Sequence, residues 1–309
     1  MILTVTLNTA LDITYHVRAL RPHTTHRVTD VVERPGGKGV NVARVLAALG
    51  HEVTVTGFAG GGTGRTVRDG LTATPRVTDA LVPVTGATRR TVAVVDERSG
   101  DTTQLNEPGP TISPAEWRAF QEAYEDLLRP ASAVALCGSL PPGVPVGAYA
   151  GLVRTARAAN VPVLLDTSGE PLRRGIAARP DIVKPNADEL AELTGSHDPL
   201  RATQDARRRG ARAVVASLGP DGLLALTPEG RWRTSLPTPL RGNPSGAGDA
   251  AVAGLLSALT EHLPWPARLT RATALSAAAV HAATAGEFEW PTYEELLDRV
   301  AVTADATAA

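Results

Sequence analysis

Residues 132–166 read SAVALCGSLPPGVPVGAYAGLVRTARAANVPVLLD. A short apolar run, 132–137, gives way to a Gly/Pro turn. A stretch with apolar residues at helical spacing follows, Val146–Ala159, and then a second apolar run, 161–166. Strand, helix and strand at this spacing form a βαβ unit, whose strands are parallel and whose crossover is right-handed. The same alternation extends in both directions. Further strand-like runs are ILTVTL (2–7), EVTVTGF (52–58), DIVK (181–184) and AVVASL (213–218). Helical stretches lie at Val40–Leu49, Thr63–Leu71, Pro114–Leu128, Ala187–Leu193 and Ala202–Arg209. The pattern predicts an α/β fold with a mainly parallel central sheet and helices on both faces. Aromatic residues make up only 4% of the chain, so the core has to be built of Ala, Val and Leu, which suits buried parallel strands.

Two stretches break the alternation. Residues 12–34 contain ITYHV and RVTDVVE, and residues 88–106 contain TRRTVAVVDERSGDTTQL, a hairpin-like pair around Ser99-Gly100. Period-two strands have one wet face, so these pieces predict a small separate sheet, inserted in two parts and placed as a lid. The rest, residues 1–309, reads as a single α/β domain without internal repeats or a separating linker. The tail from Asn243 onward is expected to be helical, with Ala247–Glu261, Ala267–Ala285 and Tyr293–Val300 as helices and 303–309 as a frayed end.

Composition excludes several classes. The 309 residues are 43% hydrophobic and 20% charged, which argues for a folded core. A net charge of -1 excludes a strongly basic nucleic-acid footprint. One cysteine, Cys137, excludes an internal disulfide framework and fits a reducing compartment. No apolar run approaches the ~18 residues a membrane span needs, and the first residues, without a basic stretch or a long apolar one, give no expectation of a signal peptide. A cytoplasmic location, with no membrane or nucleic-acid partner, is expected.

Four glycine-rich points stand out: Gly36–Gly39, Gly60–Gly64, Ser217–Gly222 and Ser245–Asp249. Each can be a turn. None has the GxxxxGK[ST] spacing of a phosphate-binding P-loop. Gly246-Ala247-Gly248-Asp249-Ala250-Ala251 matches GxGxxG/A, but it lies near the C-terminus, and Asp249 would repel a pyrophosphate there. Asn243-Pro244 stops any preceding strand. The glycines leave backbone N–H groups bare, and an Ala-rich helix follows. A helix start of this kind is an anion site. Asp249 is then either a cap of the helix or a general base beside the anion hole.

Lys184-Pro185-Asn186-Ala187-Asp188-Glu189 follows a strand and opens a helix. Asn186 and Glu189 form either a capping box, or an oxygen site for Mg²⁺ carried by nucleotide phosphates, or both. Lys38 sits among glycines, and Arg27, Arg89 and Arg90 are expected on the lid strands. They are either solvated or converge on a substrate phosphate. The seven histidines have no HxH or HExxH spacing. Ser139, in Gly138-Ser139-Leu140, lacks the GxSxG context of a serine hydrolase.

Taken together, several motifs carry a resemblance. They are Thr6–Asp12, Pro35–Ala43, Gly57–Gly61, Thr88-Arg89, Leu105–Pro110, Gly138–Gly143, Val183–Asn186, Ser217–Gly222 and Gly246–Asp249. In this order and spacing the chain resembles the ribokinase-like carbohydrate kinases of the PfkB type. Within them it is similar to the branch of 1-phosphofructokinase, tagatose-6-phosphate kinase and the minor 6-phosphofructokinase. The resemblance implies a ribokinase-like three-layer αβα fold with a small β-sheet lid, and ATP-dependent phosphorylation of a sugar phosphate, with fructose 1-phosphate first among the candidates. It implies Asp249 as general base, with Gly246, Ala247 and Gly248 as anion hole. Asp12, Gly37, Lys38 and Asn41 would meet the sugar hydroxyls, and Arg27, Arg89 and Ser139 its phosphate. Asn186 and Glu189 would organise Mg²⁺ and the ATP phosphates next to Lys184. Ser217, Gly219 and Gly222 would line the nucleotide cleft, with Ala274–His281 near the adenine. A homodimer through the lid is implied as well. Thr9, Arg90, Ser245 and Ala250 depart from the branch's usual residues, and none of them removes a catalytic group.

Overall fold

A computed structural model describes residues 1–237, 242, 245–282 and 284–305. The chain begins with β1 (Ile2–Thr6), β2 (Ala10–Val17), β3 (Asp30–Gly36), α1 (Lys38–Ala48), β4 (Val53–Ala59) and α2 (Gly61–Thr72). The short β5 (Val77–Asp79) and β6 (Val82–Pro83) precede β7 (Arg89–Asp96), β8 (Thr102–Asn106), α3 (Pro114–Leu128) and β9 (Ala133–Cys137). Then come α4 (Ala148–Ala158), β10 (Val163–Asp166), α5 (Gly169–Ala177), β11 (Ile182–Val183), α6 (Ala187–Thr194) and α7 (Pro199–Arg208). The chain closes with β12 (Ala213–Ser217), β13 (Leu223–Thr227), β14 (Gly230–Ser235), α8 (Ala247–Thr260), α9 (Trp265–Val280), α10 (Trp290–Leu297) and β15 (Ala301–Asp305).

The central sheet has the order β15-β14-β13-β12-β11-β10-β9-β1-β4-β5, with β6 also paired to β4. From β12 to β5 every pairing is parallel; β13, β14 and β15 add antiparallel strands at one edge. Alternation along each strand builds two cores. On β9, Val134 and Leu136 face α3–α7, while Ala133, Ala135 and Cys137 face α1, α8 and α9. The small residues on that second face let the Ala-rich α8 lie close. Gly254 of α8 makes the approach to α9 possible, since a Cβ there would stand 2.7 Å from Ala272 Cα. The scarcity of aromatics is thus met by helices that pack nearly backbone to backbone.

The second sheet has the order β3-β2-β7-β8 and is assembled from the two stretches read as a lid. Its β2–β7 pairing is parallel, whereas β2–β3 and β7–β8 are antiparallel. Arg27 is not on a strand as expected: it lies exposed in the connection between β2 and β3. Arg89 and Arg90 begin β7 as expected.

The tail departs from expectation. The last helices are α8, α9 and α10, but residues 301–305 are a strand, not a frayed end. The free edge of β14 offers unpaired N–H and C=O groups, and Ala301–Asp305 pairs with it in register. The expected helix Ala267–Ala285 stops at Val280, where the chain turns off to pass beside α1 and the start of α8. Asn243-Pro244 and residues 306–309 lie outside the described residues. Among the described residues no helix is long and apolar enough to cross a membrane.

Candidate active site

The sheet topology fixes where a ligand can enter. From β1 the chain adds β4 and β5 on one side, and later β9, β10, β11 and β12 on the other. The order reverses beside β1, and in such sheets the crevice lies outside the carboxyl ends of the strands. The residues ending these strands are Thr6 and Asn8 after β1, Gly138 and Ser139 after β9, Asp166 on β10, Lys184 after β11 and Ser217 on β12.

The start of α8 faces this crevice. Gly246 is its N-cap, with φ +84° and no side-chain cap. A Cβ there would lie 2.8 Å from Ala285 Cα, so glycine is required both by φ and by space. With no cap, the N–H groups of Ala247 and Gly248 are open donors at the positive end of the helix. Asp249 lies in the first turn and is 7% exposed. No side chain caps this helix, so Asp249 does not play the capping part that its position allowed. Instead its Oδ2 accepts a hydrogen bond from Asn41 Nδ2 at 2.9 Å. Burial pushes the Asp249 carboxyl up to about 6; Asp166 adds to this, and Lys38, the Asn41 bond and Lys184 oppose it. Asn41 Oδ1 is buried without a hydrogen-bond partner.

Beside Asp249 lies a carboxylate that the sequence reading did not single out. Asp166 is 1% exposed and stands between two ammonium groups. Lys38 Nζ is 3.4 Å from its Oδ2, and Lys184 Nζ is 3.4 Å from its Oδ1. Lys184 is itself buried, and its Nζ would be 3.5 Å from a Cβ on Gly248, so its charge sits at the mouth of α8. Asp166, foremost, holds Lys38 firmly protonated, with help from Asp249 and Glu189. The only sequence signal for Asp166 was an acid ending an apolar strand at the carboxyl edge of the sheet.

The other expected residues divide. Asp12 on β2 packs against Gly36, where a Cβ would be 2.1 Å from its Cγ. Its carboxyl is raised by burial against the pull of Arg89, Thr91 and Arg44. It lines a cavity of about 80 Å³ with Arg34, Arg44, Ser245 and Thr284. Gly37 is the N-cap of α1, again without a side-chain cap. Gly37, Lys38, Arg89 and Ser139 line one cleft of about 800 Å³. Arg89 Nε donates to Asn8 O at 3.1 Å, and Asn8 Nδ2 donates to Ser139 Oγ at 3.1 Å. Arg90 points elsewhere, paired with Glu107 at the surface. Arg27 is not brought to this cleft among the described residues.

After β11, Asn186 and Glu189 form the reciprocal capping box of α6. Ser217 bridges to Asn186, and Gly219–Asp221 make a single 3₁₀ turn after β12. Gly222 has φ +81° and lies against Thr234 O. Within the stretch Ala274–His281, Ala274 and Ala278 are buried in the core, Ser276, Ala277 and Val280 are partly exposed, and His281, the C-cap of α9, is exposed. Asn186 Oδ1 and Glu189 Oε2 are spent on the cap, and no group of three His, Cys, Asp or Glu converges among the described residues. The second Glu189 oxygen and the exposed Asp188 are left, a sparse set that fits a hydrated cation carried in by phosphates better than one held by the protein.

The arrangement combines a buried carboxylate whose pKa burial raises to about 6, an open helix start and two ammonium groups. It can take a proton from a hydroxyl while stabilising negative charge beside it.

The PfkB family carbohydrate kinase pattern matches residues 5–292. A structure from Thermotoga maritima, described as a possible 1-phosphofructokinase, superimposes with TM-score 0.90 at 27% identity, covering 99% of this chain and 100% of that one. Phosphofructokinase-2 from Escherichia coli, solved in complex with fructose-6-phosphate, gives TM-score 0.86 at 30% identity over 96% of this chain and 98% of that one. Ribokinase from Arabidopsis thaliana, at 21% identity and TM-score 0.73 over 96% of this chain and 98% of that one, shares the fold.

Proposed function

Because the chain belongs to the PfkB family of carbohydrate kinases, and so is an ATP-dependent sugar kinase, we propose that its substrate is a hexose phosphate: fructose 1-phosphate plus ATP gives fructose 1,6-bisphosphate plus ADP. The observation that carries this reading is the pair of sites side by side. The open start of α8 with Asp249 offers a place for the transferred group, and the cleft with Lys38, Arg89 and Ser139 offers one for a phosphate already on the sugar.

In this mechanism Asp12, Gly37 and Asn41 hold the sugar hydroxyls, Asn41 through its unpartnered Oδ1. Lys38, Arg89 and Ser139 hold its phosphate, with Arg27 contributing only from a repositioned β2–β3 connection. Asp249 accepts the proton of the attacking hydroxyl as the new O–P bond forms and the bond to ADP breaks. With the Asp249 pKa at about 6, the carboxylate is mostly ionised at pH 7 yet basic enough to receive that proton. The amides of Gly246, Ala247 and Gly248, with Lys184, take the charge on the moving phosphoryl group. Asn186 and Glu189 are the residues that would face Mg²⁺ arriving with ATP, which would supply charge neutralisation. Ser217, Gly219 and Gly222 line the nucleotide side, with His281 at its outer margin.

The small sheet serves as a lid on a single domain, excluding water from the transferring group. Val31 and Leu105, 51% and 60% exposed, lie on one face of that sheet, and they support a homodimer through it. Cys137, buried and free, is in keeping with a cytoplasmic setting. A second reading, fructose 6-phosphate or tagatose 6-phosphate, is favoured by the likeness to phosphofructokinase-2. A coupled ADP-release assay over fructose 1-phosphate, fructose 6-phosphate, tagatose 6-phosphate and free hexoses separates them. The highest kcat/KM is expected with fructose 1-phosphate. Preference for a free hexose would overturn the phosphosugar reading, and saturable binding without turnover would overturn the enzymatic one.

A further inference from the structure

The segment 284–287, between α9 and α10, touches each part of the site at once. Gly286, at φ +82°, packs on α1, where a Cβ would stand 3.1 Å from Asn41 Oδ1 and 3.2 Å from Arg44 Cδ. Ala285 closes over Gly246, the N-cap of α8, at the 2.8 Å spacing that excludes any side chain there. Glu287 forms an ion pair with Arg34, which lies on strand β3 of the small sheet. The same guanidinium donates to Thr284 Oγ1 at 2.8 Å. Glu287 also faces Arg44, whose guanidinium it steadies against the neighbouring Arg34. One short segment therefore joins the lid, the residue holding the catalytic carboxylate, and the anion hole.

We propose that Glu287 is a positioning residue and the 284–287 segment a latch, through which the place of the small sheet sets the alignment of the α8 start for phosphoryl transfer. This rests on the kinase reading above. Side-chain exposures of 32% for Arg34 and 43% for Glu287 mean that the pair by itself adds little stability. Its effect comes through what it holds. When Arg34 moves with β3, Glu287 follows, and Ala285 and Gly286 shift against Gly246 and Asn41. Packed backbone contacts at this distance transmit displacement rather than absorb it. The sequence could not show this, because Arg34 and Glu287 lie at opposite ends of the chain.

The test is a double-mutant cycle with Glu287→Gln, Arg34→Ala and both together, with Arg34→Glu/Glu287→Arg as a rescue. Steady-state kinetics with ATP and the best phosphosugar are combined with hydrogen exchange of the ligand-free proteins. Each single variant is expected to lower kcat about three- to tenfold with little change in the phosphosugar KM, and the double variant to be no worse than either single. The charge swap is expected to recover part of kcat. Exchange is expected to quicken both in β3 and at residues 245–249, while β13 is unchanged. The proposal is overturned if exchange quickens in β3 alone, or if the two single losses multiply in the double variant. It is overturned equally if kcat stays within twofold of the unaltered protein. Exchange needs no turnover, so absence of activity in the unaltered protein would defeat the kinase reading while leaving the latch to be decided by exchange.

Discussion

Two helices begin at the same edge of the sheet and are finished in opposite ways. At α6, Asn186 Oδ1 accepts from Glu189 N at 2.8 Å and Glu189 Oε2 accepts from Asn186 N at 2.9 Å. At α8, the N-cap is a glycine, no side chain answers the first N–H groups, and the one acid of the first turn is buried against Asn41 instead. A start that the chain satisfies by itself stabilises the helix. A start left open beside a buried carboxylate and the Lys184 ammonium is less stable than it could be, and it is available to an anion that the chain does not supply. The difference separates the two termini better than the presence of an acid in the first turn does, since α6 has Asp188 and Glu189 there and α8 has Asp249.

The contrast breaks first at Asp249. Asp249→Asn is expected to lower kcat by about two to four orders of magnitude, the scale of a lost general base, as measured by ADP release. Stability should move the other way. The folded pKa of about 6 lies above the ordinary 3.8, so this group favours the fold at low pH and loses that contribution as pH rises through about 6. At pH 7.5 the Asn variant is therefore expected to melt a few degrees higher than the unaltered protein, and the gain should vanish below about pH 4. Gly248→Ala comes next. Its methyl would meet Lys184 Nζ at an ordinary 3.5 Å, so the fold accepts it. Helix propensity favours Ala by about 1 kcal/mol, yet kcat should fall about tenfold or more, because the methyl crowds the open donors. A smaller effect is expected of Asn186→Ala: a loss of about 1 kcal/mol in denaturant unfolding, with a few-fold rise in KM for MgATP. The smallest is at α3, whose Ser113 and Glu116 form the same capping box without themselves lining the cleft. Ser113→Ala should cost a similar stability and leave kcat and both KM values unchanged. A kinetic effect there would show that helix capping in general, not the α8 start in particular, governs the rate.

Much of this was legible in the sequence, for local reasons. The buried parallel strands are apolar runs bounded by Gly, Pro or polar residues, and the caps of α3 and α6 are Ser113…Glu116 and Asn186…Glu189, motifs that act within one turn. The glycines of the α8 start marked the site because bare amides need them. What escaped depends on partners distant in sequence. β14 reads GRWRTS and β15 AVTAD, neither a strong strand by itself; each exists because the edge before it is open. Asp166 is one acid ending an apolar run, and its role appears only when Lys38 and Lys184 converge on it from other elements. Arg27 looked like a strand residue because its neighbours alternate, but the β2–β3 register starts only at Asp30. Which members of Ala274–His281 face inward was not legible either: the close packing of α9 on α8 buries Ala274 and Ala278 and leaves Ser276 and Ala277 partly exposed.

The open start of α8 can be tested directly. Hydrogen exchange at residues 247–249 and at the first turn of α3 is compared with and without ADP, aluminium fluoride as phosphoryl mimic, and fructose 1-phosphate. Exchange is expected to slow strongly at 247–249, where the amides gain an acceptor, and to stay unchanged at α3. Unchanged exchange at 247–249 while ADP is demonstrably bound would contradict the placement of the transferred group at this helix.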